Sequence, residues 1–88
     1  MFTLPTTLTA ANARTVLAAG LQAIADGQTM IDVGALTDVD SVAVATLVAW
    51  QRAARQRGTA VDFGRLPSNL LSLAELYGVA ALLGTAAP

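Results

Sequence analysis

Three aspartates and one serine between residues 32 and 41 are the side chains whose types and spacing could do chemistry. Asp32 ends an apolar run, and Asp38, Asp40 and Ser41 immediately precede a charge-free helical segment. Carboxylates at this density suggest a hard cation such as Ca²⁺. However, their spacing fits no calcium-binding loop, and Asp38 and Asp40 stand where turns and helix caps favour aspartate. We therefore expect no metal site here.

The rest of the chain offers little catalytic chemistry. It contains no histidine and no cysteine, which excludes Ser-His and Cys-His nucleophilic catalysis as well as imidazole and thiolate metal ligands. Gly34 stands alone between a predicted strand and a predicted helix, so no glycine-rich phosphate loop is present. We predict that the chain is not an enzyme and binds no cofactor.

Ser41 has two interpretations at the start of its predicted helix. Either its side chain or that of Asp40 caps the helix, which contributes about 1 kcal/mol. Alternatively, Ser41 is a phosphorylation site, where a phosphate would meet backbone N–H groups but also the charges of Asp38 and Asp40. Unmodified, the same position could belong to a flat apolar docking surface.

Composition limits the other functions. The 88 residues are enough for one small domain, 1–88. The chain is 55% hydrophobic and 12% charged, with a net charge of −1 and no lysine, so it lacks the basic stripe that nucleic-acid binding needs. The charge-free runs 15–25 and 41–51 are about half of the ~20 residues that span a bilayer. The N-terminus does not resemble a secretion signal, so we expect a cytoplasmic protein without direct membrane insertion.

Strand and helix patterns alternate along the chain. Strands are predicted at 2–4, 29–33 and 60–66, and helices at 10–26, 41–57 and 67–78, with 84–88 frayed. Such alternation predicts an α/β fold with a mainly parallel sheet, and a chain of this length can cover one face of that sheet with helices.

The second helix has two faces by helical projection. The face predicted to pack on the sheet consists of Val44, Leu47, Val48, Gln51 and Ala54. The face predicted to point outward is small or apolar where a solvated helix would carry charge: Val42, Ala45, Thr46, Ala49 and Ala53. Trp50 is expected to be half-buried against the third helix rather than part of a ligand site. Tyr77 is likewise expected to be a half-buried packing residue, because it follows Leu70 by seven residues on the third helix. Arg52, Arg55 and Arg57 are expected to solvate the helix end.

Several segments resemble the STAS domain family, and in particular its MlaB branch. The similarity covers the chain from Thr9 to Leu83. It is carried by Ile31-Asp32-Val33, Leu36, Val39-Asp40-Ser41 and Leu47-Val48, and by the segments 66–70 and 73–79.

The resemblance implies a STAS fold and a specific role. MlaB-like proteins are cytoplasmic subunits that bind and support the ATPase subunit of the Mla-type phospholipid ABC transporter, and through it they are linked to the permease in the inner membrane. The transporter maintains outer-membrane lipid asymmetry. The resemblance implies a docking patch of Asp40, Ser41, Val42, Ala45 and Ala49. The alternative it leaves open is an anti-sigma factor antagonist, in which a partner kinase phosphorylates the residue at the position of Ser41.

Two departures from the family pattern have consequences. Val42-Ala43 is bulkier than the small residues that usually follow the serine, which would hinder a kinase. STAS domains often begin with an additional hairpin strand, whereas this chain begins a few residues before Pro5. An unpaired sheet edge could then join two copies of the chain, so we expect a homodimer as a second partnership.

Overall fold

The computed structural model describes residues 2–83. Within them the chain forms four short strands, three α-helices and a C-terminal 3₁₀ helix. In chain order these are β1 (Phe2–Thr3), β2 (Thr7–Leu8), α1 (Ala13–Ala25), β3 (Ile31–Asp32), β4 (Asp38–Val39), α2 (Ser41–Gln56), α3 (Ser68–Leu76) and the 3₁₀ helix (Ala80–Leu83).

Both strand pairs are parallel, which confirms the predicted α/β class. Strand β1 pairs with β3, with Phe2 opposite Ile31, and β2 pairs with β4, with Thr7 opposite Asp38. The segment between β3 and β4 is two residues longer than the segment between β1 and β2. The extra residues lie in a turn between β3 and β4, in which the Asp32 carboxylate accepts the Gly34 N–H at 2.8 Å and Thr6 O accepts the Thr37 N–H at 2.8 Å.

The alternation of burial shows that one face of the sheet is covered. Ile31 and Val33 are buried while Asp32 between them is exposed, and Val61 and Phe63 are buried while Asp62 is exposed. The helices therefore pack on the face that carries the apolar residues, as predicted from the short chain.

The predicted order of strictly alternating strands and helices is wrong at two places. No strand was predicted between residues 4 and 10, but Thr7–Leu8 is strand β2. The predicted strand 60–66 is reduced to a parallel bridge between Met30 and Asp62. It ends there because the Asp62 carboxylate accepts the Gly64 N–H at 2.8 Å and Gly64 has φ +66°, a left-handed conformation that turns the chain away.

Two helix boundaries also differ from the prediction. Helix α1 begins at Ala13 rather than Ala10, because Asn12 folds back on the preceding residues, donating to Thr7 O at 2.8 Å and accepting the Thr9 N–H at 3.1 Å. Helix α3 ends at Leu76, where Gly78 at φ +72° allows the Val79 N–H to reach Ala74 O at 2.9 Å. The prediction for 84–88 lies outside the described residues.

Trp50 is fully buried between α1 and α2, so its predicted half-buried position against the third helix is wrong. Its indole Nε1 donates to Leu17 O at 3.0 Å, and the ring lies against Gly20 of α1. Because Gly20 has no side chain, α1 admits the widest side chain of α2. Trp50 is therefore a core residue rather than part of a ligand site.

Arg57 contributes to the end of α1 as well as to the end of its own helix, α2. Its guanidinium Nη2 donates to Ala25 O at 3.2 Å, which supplies a partner to a carbonyl in the last turn of α1. None of the helices in the part of the chain that the structure describes is long and apolar enough to cross a membrane.

Candidate docking site

Asp40 organises the start of α2. It has extended backbone dihedrals, and its Oδ1 accepts the Val42 N–H at 2.8 Å, so Asp40 rather than Ser41 is the helix cap. Its Oδ2 accepts the Ala10 N–H at 3.1 Å, which joins the turn before α1 to the same carboxylate. Both oxygens are thus used in holding two helix starts together.

We predict that Asp40→Ala lowers the free energy of unfolding by about 1 to 2 kcal/mol, since two backbone N–H groups lose their charged acceptor. Asp38→Ala is the matched control, because Asp38 is exposed in β4 and lies two residues away; it should change stability by less than about 0.5 kcal/mol. Urea denaturation measures both. Equal losses in the two variants would contradict the capping role.

The three aspartates singled out by their spacing do not converge. Asp32 folds onto its own turn, Asp40 caps α2, and Asp38 is exposed. Among residues 2–83 no group of three or more acidic, histidine or cysteine side chains could hold a metal ion.

An apolar groove lies beside Ser41, between α2 and the segment that follows α3. Its volume is about 340 Å³, and it is open to solvent. The lining residues are Ser41, Val44, Ala45, Val48, Tyr77 and Val79. None of these side chains carries a charge, and Ser41 supplies a hydroxyl at one end.

Residues 76–82, which include the groove residues Tyr77 and Val79, carry large exposed apolar side chains. Leu76 is 75% exposed, Tyr77 is 53% exposed and Leu82 is 36% exposed. Isolated exposed apolar residues are ordinary, but these three belong to one short stretch beside an apolar concavity. An arrangement of this kind fits the burial of another apolar surface.

The predicted patch residues take different positions. Ser41 and Ala45 are exposed and line the groove. Val42 and Ala49 are half-buried at the flank of α2 and are not among the lining residues, and Asp40 serves as the cap described above. The predicted patch and the observed groove therefore overlap at the start of α2 and diverge along the helix.

One residue was placed on the wrong face of α2. Thr46, predicted to point outward, is only 4% exposed, and its Oγ1 donates to Val42 O at 2.8 Å. Val48, predicted to face the sheet, packs against the core from a half-buried position and also lines the groove, as Val44 does. A hydroxyl that is satisfied by the preceding turn can be buried at little cost, and a hydropathy projection does not include this possibility.

The second wall of the groove was missed by sequence reasoning. Tyr77 was assigned to the packed face of the third helix because it follows Leu70 by seven residues. Since α3 ends at Leu76, helical spacing no longer sets its direction, and Tyr77 turns outward beside Val79. The signal that could have located this change is Gly78, a typical helix terminator.

A comparison of the chain with models of known protein families identifies its family. The model described as "Mlab, STAS domain" matches residues 1–84. The chain belongs to this STAS domain family. STAS domains of this kind include both Mla-type accessory subunits and anti-sigma factor antagonists. No curated protein and no solved structure gives a significant match to this STAS domain.

Membership agrees with the architecture described above. The small parallel sheet, the Asp40-capped α2 and the groove beside Ser41 all lie within the matched residues. In this STAS domain the expected serine position opens a helix, and its side chain is exposed rather than used as the cap.

Proposed function

We propose that this STAS domain is the accessory subunit of an Mla-type phospholipid ABC transporter, and that it binds the transporter's ATPase subunit through the groove beside Ser41. The observation that carries the proposal is the groove itself, a concavity lined by uncharged side chains next to the start of α2 in a STAS domain. Through the ATPase the domain would lie at the cytoplasmic side of the inner membrane and contribute to outer-membrane lipid asymmetry.

The surface chemistry supports a protein partner. Burying apolar surface contributes roughly 25 cal/mol per Å², and an uncharged groove needs no desolvation of ions to bind an apolar segment. Tyr77 is suited to such a contact, because tyrosine combines a large apolar ring with a hydroxyl and is enriched at interfaces. Ser41 can add one hydrogen bond at the groove end.

The second candidate is an anti-sigma factor antagonist, which one observation favours: Ser41 is exposed at the first position of a 16-residue helix. A phosphate there would meet the helix N-terminus. It would also stand next to Asp40, which already accepts the Val42 N–H. The competing negative charge makes this site less favourable to a phosphate than an uncapped helix start would be.

Co-expression with the ATPase of the same transporter distinguishes the two. We expect affinity purification of the wild-type domain to recover the ATPase in a stoichiometric complex, with Ser41 unmodified by mass analysis. Failure to recover the ATPase, together with phosphate on Ser41, would overturn the proposal in favour of the antagonist.

A further inference from the structure

Gln51 is a buried polar residue that the docking proposal does not use. Its side chain is 3% exposed and lies on α2, in the half of the helix farther from Ser41. Its Nε2 donates to Val61 O at 3.0 Å and to Leu82 O at 2.9 Å, and its Oε1 accepts the Val61 N–H at 2.7 Å. One amide thus satisfies three backbone groups from two distant segments.

The Leu82 contact links Gln51 to the groove. Leu82 belongs to the 3₁₀ helix Ala80–Leu83, which directly follows Val79 and Tyr77, the two residues of the second groove wall. At its other end that wall is fixed to α3 by the hydrogen bond from the Tyr77 N–H to Leu73 O at 3.1 Å. The wall is therefore held at both ends, by α3 before it and by Gln51 after it.

We propose that Gln51 is a positioning residue for the docking groove. By tying the 3₁₀ helix to α2, it sets the separation between the Tyr77 and Val79 wall and the Val44 and Val48 wall. The identity of the partner that binds in the groove rests on the proposed function. The tether, by which we mean the hydrogen bond from Gln51 to Leu82 O, does not depend on it. Gln51 touches no partner, so it acts only through the geometry of the wall.

Apolar packing alone does not replace this tether. Leu83 is buried and anchors the 3₁₀ helix to the core, but burial is non-directional and leaves the wall free to shift along α2. A hydrogen bond to a carbonyl is directional. Replacing Gln51 by an apolar residue of similar length would preserve the volume and remove the direction.

The test uses Gln51→Met, which keeps the side-chain length and removes all three hydrogen bonds. Amide exchange followed by NMR is the first measurement. We expect the Leu82 amide, which donates to Val79 O at 3.0 Å, to exchange about tenfold faster, with chemical-shift changes concentrated at Val61 and in 77–83. Ile24→Val in the core of α1 is the control for general destabilisation; it should leave the 77–83 shifts in place.

Affinity for the ATPase is the second measurement, made at a temperature where every variant is fully folded. We expect Gln51→Met to bind about tenfold more weakly and Ile24→Val to bind as the wild type does. Should Gln51→Met fail to fold, Gln51→Asn replaces it, since the side chain keeps its amide but is one methylene too short to hold Val61 and Leu82 O together.

The outcomes separate the two proposals. Wild-type affinity in the Gln51 variant, or an equal loss in Ile24→Val, would overturn the positioning role while leaving the docking proposal standing. If the wild-type domain does not bind the ATPase, the docking proposal fails, and the exchange measurement decides the tether alone: unchanged exchange at Leu82 would refute it.

Discussion

Gly20→Ala is expected to lower the free energy of unfolding by about 3 kcal/mol, the largest stability loss that we predict for a single added methyl group in this domain. A Cβ at Gly20 would overlap the indole atoms Cε2, Nε1 and Cζ2 of Trp50. The ring cannot move aside easily, because it is fully buried and its Nε1 is hydrogen-bonded to Leu17 O. The indole of Trp50 and the backbone of α1 must therefore move apart.

The sign of this effect is informative. In an exposed helix, replacing glycine by alanine stabilises by about 1 kcal/mol, so helix propensity alone predicts the opposite result. Thr15→Ala on the exposed face of α1 is the control and should change stability by less than about 0.5 kcal/mol. Trp50→Leu should reduce the additional loss caused by Gly20→Ala, as expected of two residues in contact. Urea denaturation of the wild type, Gly20→Ala, Trp50→Leu and the double variant measures the cycle; a stabilising Gly20→Ala would contradict the packing.

Ser41→Arg is expected to weaken ATPase binding by about 100-fold or more while the domain remains folded. The substitution places a long charged side chain at the end of a groove whose lining side chains carry no charge. On docking, the guanidinium would have to be desolvated without a partner or would hold the surfaces apart, and either outcome costs several kcal/mol. Ser41 is exposed in the isolated domain, so the fold accommodates the larger side chain.

Ser68→Arg is a closely matched control. Ser68 is exposed and is the first residue of α3, as Ser41 is the first residue of α2. An arginine opposes the helix dipole equally at both positions, at about 0.3 to 1 kcal/mol. Ser68 lines a different concavity, together with Arg65 and Leu71, and not the proposed docking groove. A difference in affinity between the two variants therefore reports on the groove alone.

The sequence was sufficient to predict the parts of the fold that depend on strong periodicity. The helices α1 and α2, the α/β class and the parallel pairing follow from apolar spacing and from the glycines and polar residues between elements. The third strand was overpredicted, because Val61 and Phe63 alternate correctly but Asp62 and Gly64 form a turn after a single bridge. Alternation predicts which side chains are buried, whereas pairing depends on where the backbone can continue.

The candidate site was predicted in part, for a similar reason. Ser41 and Ala45 were identified from one helix and its projection, and both line the groove. Tyr77 and Val79 come from a segment 32 to 38 residues after Ser41 and Ala45, and no local pattern in α2 indicates that they lie opposite it. Thr46 was misjudged, because its burial depends on the hydrogen bond to Val42 O. Gln51 was placed correctly on the face toward the sheet but was given no role, because no pattern within α2 indicates its hydrogen bonds to Val61 and Leu82.

The affinity of the purified ATPase for the wild-type, Ser41→Arg and Ser68→Arg domains, measured by calorimetry, tests the central claim most directly. The account predicts that the wild type and Ser68→Arg bind with equal affinity, and that binding of Ser41→Arg is lost or at least about 100-fold weaker with its unfolding transition intact. Equal binding by all three domains would show that the ATPase does not use the groove beside Ser41.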